Sequence, residues 1–179
     1  DRAVDLAKEV IEVYPERFQD YWLSGMRRKL GLFTSESEDE ALVQSLLDTM
    51  QENEADFTLT FRRLCDATLG PEQDDSLRSL FKDAGAYDNW ALDWRARLSR
   101  EVKAPDERVE LMRQVNPAVI PRNHRVEQAL EAAVEYGNYA PFEKLLEVLS
   151  TPYSDKEVDM EYRLPPKPEE HVLKTFCGT

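Results

Sequence analysis

The stretch Tyr87-Asp-Asn-Trp90-Ala-Leu-Asp-Trp94-Arg-Ala-Arg-Leu98 places Trp90, Trp94 and Leu98 four residues apart. A spacing of four keeps side chains on one face of a helix, whereas a strand would alternate them between two faces. The pattern predicts a helix over 87–102 with both tryptophans in a core. The same spacing recurs on either side. Upstream, Phe57, Phe61, Leu64 and Cys65 follow Asp56, a residue suited to cap a helix start. Before them, Leu42, Leu46, Leu47 and Met50 follow two overlapping capping boxes, Ser35 with Glu38 and Ser37 with Glu40. Earlier still, Phe18, Trp22, Met26 and Leu30 mark a helix over 16–30 that stops at Gly31, with Phe18 and Trp22 read as core. Val4, Ala7, Val10, Ile11 and Tyr14 mark another, and Pro15 between the two predicts a break or a new first turn.

Downstream, short helices are expected over 76–82 and 106–115. Asn116-Pro117 interrupts the second, because a residue before proline avoids helical angles. Asn123 is expected to cap a helix over 124–136, Gly137-Asn138 makes a tight link, and 140–149 closes the set. No stretch shows sustained alternation or a hairpin signature. The expected fold is therefore all-α, an irregular multi-helix array over 1–150. From Thr151 the chain reads as an extended tail over 151–179, with Pro152, Pro165, Pro166 and Pro168. Such a tail either hangs loose or lies across another surface.

The net charge is −13, from 23 basic and 36 acidic residues. Nucleic acid is excluded as an expected partner, since phosphate neutralisation needs a basic face and the largest basic run is Arg27-Arg28-Lys29. An anionic membrane surface is disfavoured for the same reason, and no apolar run reaches the length of a membrane span. The chain opens with Asp1-Arg2-Ala3, without an initiator methionine or a signal peptide. The expectation is a cytoplasmic chain whose numbering starts inside a longer protein.

The search for chemistry finds no complete active site. His124 and His171 are the two histidines, in no metal-ligand spacing. His124 sits beside Arg122, Asn123 and Arg125, where tying a loop to a helix end is the expected role. Asp74-Asp75 and the acidic run 36–40 lack the ligand order of a calcium loop. The six glycines form no phosphate-cradling loop. Asp56-Phe57-Thr58 only faintly resembles a kinase metal-binding triplet, and Asp56 is better used as a cap. Cys65, on an apolar helix face, is expected to be buried and inert. Cys177, two residues from the end in a tail, is either a bystander or an exposed thiol placed for disulfide exchange.

Two stretches carry a resemblance. Asn116-Pro-Ala-Val-Ile-Pro-Arg-Asn-His-Arg-Val-Glu-Gln-Ala-Leu130 with Tyr139-Ala-Pro-Phe-Glu-Lys-Leu-Leu146 resembles the C-terminal region of the selenoprotein O (YdiU-type) family, and Thr175-Phe-Cys-Gly-Thr179 is similar to its bacterial ending. Trp22 to Leu32 and Asp56 to Arg62 are also similar to its members. The resemblance implies a kinase-like protein adenylyltransferase that uses ATP and magnesium to move AMP onto Ser, Thr or Tyr of proteins. It also implies that the ATP and metal ligands lie in an N-terminal part absent here, so this chain carries no catalytic, metal or cofactor residue. The implied partners are that missing kinase-like part and the protein substrates of the whole enzyme. Cys177 stands where selenium-containing members have selenocysteine, which implies a redox link to a cysteine of the catalytic part. Asn116, Pro117, Arg122, Asn123 and His124 are the candidate structural motif. The competing reading is a stand-alone acidic helical interaction module without enzymatic activity.

Overall fold

The computed structural model describes residues 2–155 and 160–172. Among these the chain is all-α. The helices are α1 (Arg2–Lys29), α2 (Asp39–Glu52), α3 (Phe57–Ala67), α4 (Asp75–Arg78), α5 (Ala84–Leu98), α6 (Pro105–Arg113), α7 (Asn123–Tyr136), α8 (Ala140–Leu149) and α9 (Met160–Arg163).

The core forms where α2, α3 and α5 meet the last turns of α1. Trp94 and Tyr87 are fully buried and Trp90 nearly so, packed with Leu30, Val43, Leu46, Phe61, Leu64 and Leu77. The two indole N–H groups are not stranded: Trp94 donates to the Leu30 carbonyl at 3.0 Å and Trp90 to the Leu42 carbonyl at 3.1 Å. The three apolar residues of the 87–98 stretch thus bury together, as their spacing predicts. Asp56 caps α3 as expected, its Oδ1 accepting the Leu59 N–H at 2.8 Å. Phe57, read as part of the same apolar face, is instead half exposed at the first turn.

Two expectations for the N-terminal stretch fail. α1 runs unbroken through Pro15. Proline removes the hydrogen bond to the Ile11 carbonyl and its ring crowds that carbonyl, but residues 2–21 are all exposed, so the carbonyl can tilt outward and bond water. For the same reason Phe18 is not core: it is 54% exposed, stacked on Tyr14. The last turns of α1, from Trp22 onward, pack against the core, and before them Gln19 donates a surface hydrogen bond to Glu40 of α2 at 2.7 Å.

The caps also differ. Neither capping box forms: α2 starts at Asp39 behind Glu38, with no side-chain cap. Asp39 is drawn inward, where it accepts from the Glu36 N–H (2.9 Å), from Arg27 Nε (2.6 Å) and from Arg97 Nε (2.7 Å). Arg97 also donates to Glu101 (2.8 Å) and to the Thr34 carbonyl (3.0 Å). This buried pair pins the 30–38 loop, and its geometry outweighs the local capping preference. Asn123 is not a cap either. Arg122 is the extended residue before α7, and Asn123 is already helical. α4 and α5 differ from the expected bounds by up to four residues, because Asp83 caps α5 early and α5 ends where Glu101 turns back to the Phe33 and Thr34 amides.

α7 ends at Gly137 (φ 61°), with the Asn138 N–H returning to the Ala132 carbonyl at 2.9 Å. This tight link folds α8 back against α7. Beyond Thr151 the described tail alternates extended stretches with the single turn α9 and a 3-10 turn at Pro168–Glu170. It lies across the body instead of hanging free.

Candidate functional site

The motif residues gather where the helical body meets the tail, in two centres. The first is built on α3. Arg62 is buried, and its Nη1 donates to the carbonyls of Arg113 (3.1 Å) and Asn116 (2.7 Å). Its Nη2 donates to the Tyr153 carbonyl (3.1 Å) and joins Nε on the Asp155 carboxylate. One guanidinium therefore ties α3, the end of α6 and the start of the tail. Asn116 is fully buried beside it. Its amide donates to the Lys29 carbonyl (2.9 Å) and the Cys65 sulfur (3.6 Å), while Lys29 Nζ returns a bond to Asn116 Oδ1 (3.2 Å). After Pro117 the chain turns outward, and the N–H groups of Ala118 and Val119 donate to the Pro152 carbonyl at 2.8 and 3.2 Å.

Cys65 lies beneath Asn116 with no exposed surface. Burial pushes its thiol up to about 11, against the smaller opposing pull of the Asn116 hydrogen bond and Arg62. The expectation of an inert thiol agrees with this environment. Burial likewise holds the Lys29 ammonium below its ordinary value.

The second centre is the start of α7. Arg122 takes Asp56 with both terminal nitrogens, the Nη2–Oδ1 bond being 2.9 Å, and Nη2 also donates to the Arg163 carbonyl at 2.7 Å. Burial alone would raise the Asp56 carboxyl, but the Arg122 and Leu59 donors hold it below its ordinary value. Arg125 donates to the Glu161 carbonyl (3.2 Å) and lies over the Tyr162 ring. His124 is 3% exposed, and neither ring nitrogen has a hydrogen-bond partner among the described residues. With Arg122 and Asn123 it lines a half-open cavity of about 280 Å³, whose other wall is made by Pro166, Glu170 and His171 of the tail. His124 therefore does face the tail at a helix end, but through a cavity and not through a hydrogen bond.

Sequence reasoning missed Arg62, Asp39 and Arg97. The available signal was weak: Arg62 follows Phe61 on a helix whose neighbours bury, and Arg97 stands four residues before Glu101. Cys177 lies outside the described residues. Among the described residues no group of three or more His, Cys, Asp or Glu could hold a metal, and no helix is long and apolar enough to cross a membrane. Neither centre pairs a nucleophile with a base. What these side chains do is hold helix ends and tail together.

Comparison with known proteins gives the setting for this junction. The family described as "Protein adenylyltransferase SelO" matches residues 3–150. The chain is 54% identical to the "Protein nucleotidyltransferase YdiU" of Rhizobium etli, 52% to that of Rhizobium meliloti and 50% to that of Bradyrhizobium diazoefficiens. Each match runs over all 179 residues of this chain and 36% of the relative, so the chain spans little more than a third of these proteins. The N-terminal helix, the buried core and the motif around Asn116 to His124 all fall within the matched residues, and the chain belongs to the SelO family of protein adenylyltransferases.

Proposed function

We propose that this chain is the helical C-terminal region of a protein that transfers AMP from ATP to Ser, Thr or Tyr hydroxyls of other proteins. In this reading it acts as a scaffold for a kinase-like part that supplies ATP and magnesium binding. The observation that carries the reading is the family match along the whole chain, over only 36% of each relative. A structural feature supports the scaffold role. Along α1, Val4, Val10, Ile11, Tyr14 and Phe18 are 50–70% exposed and follow one another at helical spacing. An apolar row of this length on one helix suits coverage by another surface. The tail that carries Cys177 completes the proposal as a redox-responsive element whose thiol pairs with a cysteine of the catalytic part.

Incubating the chain alone with labelled ATP, magnesium and an acceptor protein should give no label transfer. Mixing it with the separately made remainder of the protein should give a complex that purifies as one species. Transfer by the chain alone, or failure of the two parts to associate, would overturn the scaffold reading and favour a stand-alone interaction module. For the tail, Cys177→Ser in the whole protein should remove any dependence of AMP transfer on oxidants; an unchanged oxidant response would reject the redox role.

A further inference from the structure

The start of α7 and the tail residues Pro166, Glu170, His171 and Val172 line a half-open pocket of about 280 Å³. Three independent features of its wall ask for a ligand. His124 is 97% buried by its 3% exposure, and both ring nitrogens are without a partner. Buried polar atoms are nearly always satisfied, so two unmet ones on a single ring that lines a cavity point to a missing group. α7 is a helix of 14 residues that begins with no side-chain cap, the Arg125 and Val126 amides being taken by the Arg122 carbonyl, and its first two residues, Asn123 and His124, line this space. Arg122, whose terminal nitrogens are taken by Asp56 and the Arg163 carbonyl, keeps a buried Nε without a partner in the same wall.

We propose that this cavity binds a phosphate-type oxyanion. The α7 amides and Arg122 Nε donate to its oxygens. One nitrogen of a neutral His124 donates, and the other accepts from a phosphate hydroxyl. The surrounding charges select the protonation state. Asp56 already neutralises Arg122. Glu170 stands on the opposite wall as a like charge, its carboxylate fixed by the Lys167 N–H at 2.9 Å, and His171 lies beside it. This balance favours a phosphate that retains one proton over a fully ionised one. His124 is held below its ordinary value by burial, then by Arg125, a direction that agrees with a neutral ring donating from one nitrogen and accepting at the other. A metal ion on His124, His171 and Glu170 is the competing occupant, and among the described residues no such group is placed to hold one. The same chemistry fits free phosphate or the phosphate of a nucleoside monophosphate.

The test is a titration of the histidine-¹⁵N-labelled chain with inorganic phosphate, read from long-range proton–nitrogen correlations of the two imidazoles. Saturable movement of the His124 ring nitrogens is expected, with phosphate affinity, measured for both proteins by isothermal titration calorimetry, at least tenfold weaker in His124→Asn. Because that variant could lose structure, Glu170→Gln provides the opposite arm. It keeps an acceptor for the Lys167 amide, removes the like charge, and should tighten phosphate binding about threefold or more. AMP binding more tightly than phosphate would assign a phosphomonoester, and equal or weaker binding would assign the free ion. A non-saturating shift, movement of His171 alone, an unchanged affinity in Glu170→Gln, or saturation by zinc instead of phosphate would overturn the proposal.

Discussion

Arg122 grips Asp56 through both terminal nitrogens while Asp56 caps α3 through the Leu59 N–H. One carboxylate thus joins the starts of two helices that are 66 residues apart in sequence. The pair is mostly removed from water, with side chains 8% and 17% exposed. Removing one partner leaves the other buried and unpaired, which costs about 3 kcal/mol. Arg122→Ala is expected to lose that much stability in urea unfolding, and Arg122→Lys to recover little of it, because an ammonium cannot make the two-point contact. Full recovery by lysine would show that charge alone is enough.

The acid limb of stability follows from the same groups. Asp39, Asp56 and Glu101 are each pushed upward by burial, but their hydrogen bonds and arginine partners hold them below ordinary values. A carboxylate lowered in the folded state contributes stability that is fully present above its unfolded value of about 4 and is lost as pH falls below it. The melting temperature should therefore decline modestly below about pH 6.5, where the unfolded chain gains a proton at His124 that the folded chain resists, and drop most below about pH 4, the second step less steeply in Asp56→Asn. A main transition near pH 6 would contradict this.

Two arginines only three residues apart should behave differently. Arg97 is 3% exposed and serves Asp39 and Glu101, so Arg97→Ala should cost about 3–5 kcal/mol. Arg100 meets Glu36 on the open surface, and Arg100→Ala should leave the melting temperature unchanged within error. Similar losses for both would mean that the buried network contributes no more than a surface pair.

The glycines give a graded series. Gly31 has φ 75°, and an added Cβ would meet Met112 Sδ at 2.7 Å and Arg108 Cδ at 2.9 Å. Gly31→Ala should cost about 2 kcal/mol through backbone strain and crowding together. Gly137 has φ 61° but open space, so Gly137→Ala should cost about 1 kcal/mol. Gly25 lies within α1 with nothing near its Cβ position, and Gly25→Ala should stabilise by about 0.5–1 kcal/mol. Calorimetry of the three variants would test the order.

Cys65 should resist thiol reagents in the folded chain. Its thiol is fully buried and pushed up to about 11. In Cys177→Ser, labelling at pH 8 should proceed no faster than unfolding exposes the site. Rapid labelling of the native chain would show that α3 opens locally.

The helical class, the core tryptophans, the Asp56 cap and the burial of Cys65 were legible in the sequence. Each rests on spacing or on contacts within a few residues, which local geometry alone determines. The motif from Asn116 to His124 was visible as a motif, but its division into two centres was not. That depends on Arg62 and Asp56, which lie more than 50 residues away.

The helical pattern of α1 likewise established an apolar face without showing whether anything in this chain covers it; the fold leaves residues 2–21 exposed and so passes Pro15 without a break. Sequence periodicity determined which residues form helices and which faces are apolar. Only the tertiary structure decided which charges turn inward, because a buried Asp39 or Arg62 is tolerable only where distant partners satisfy every lone pair and donor together.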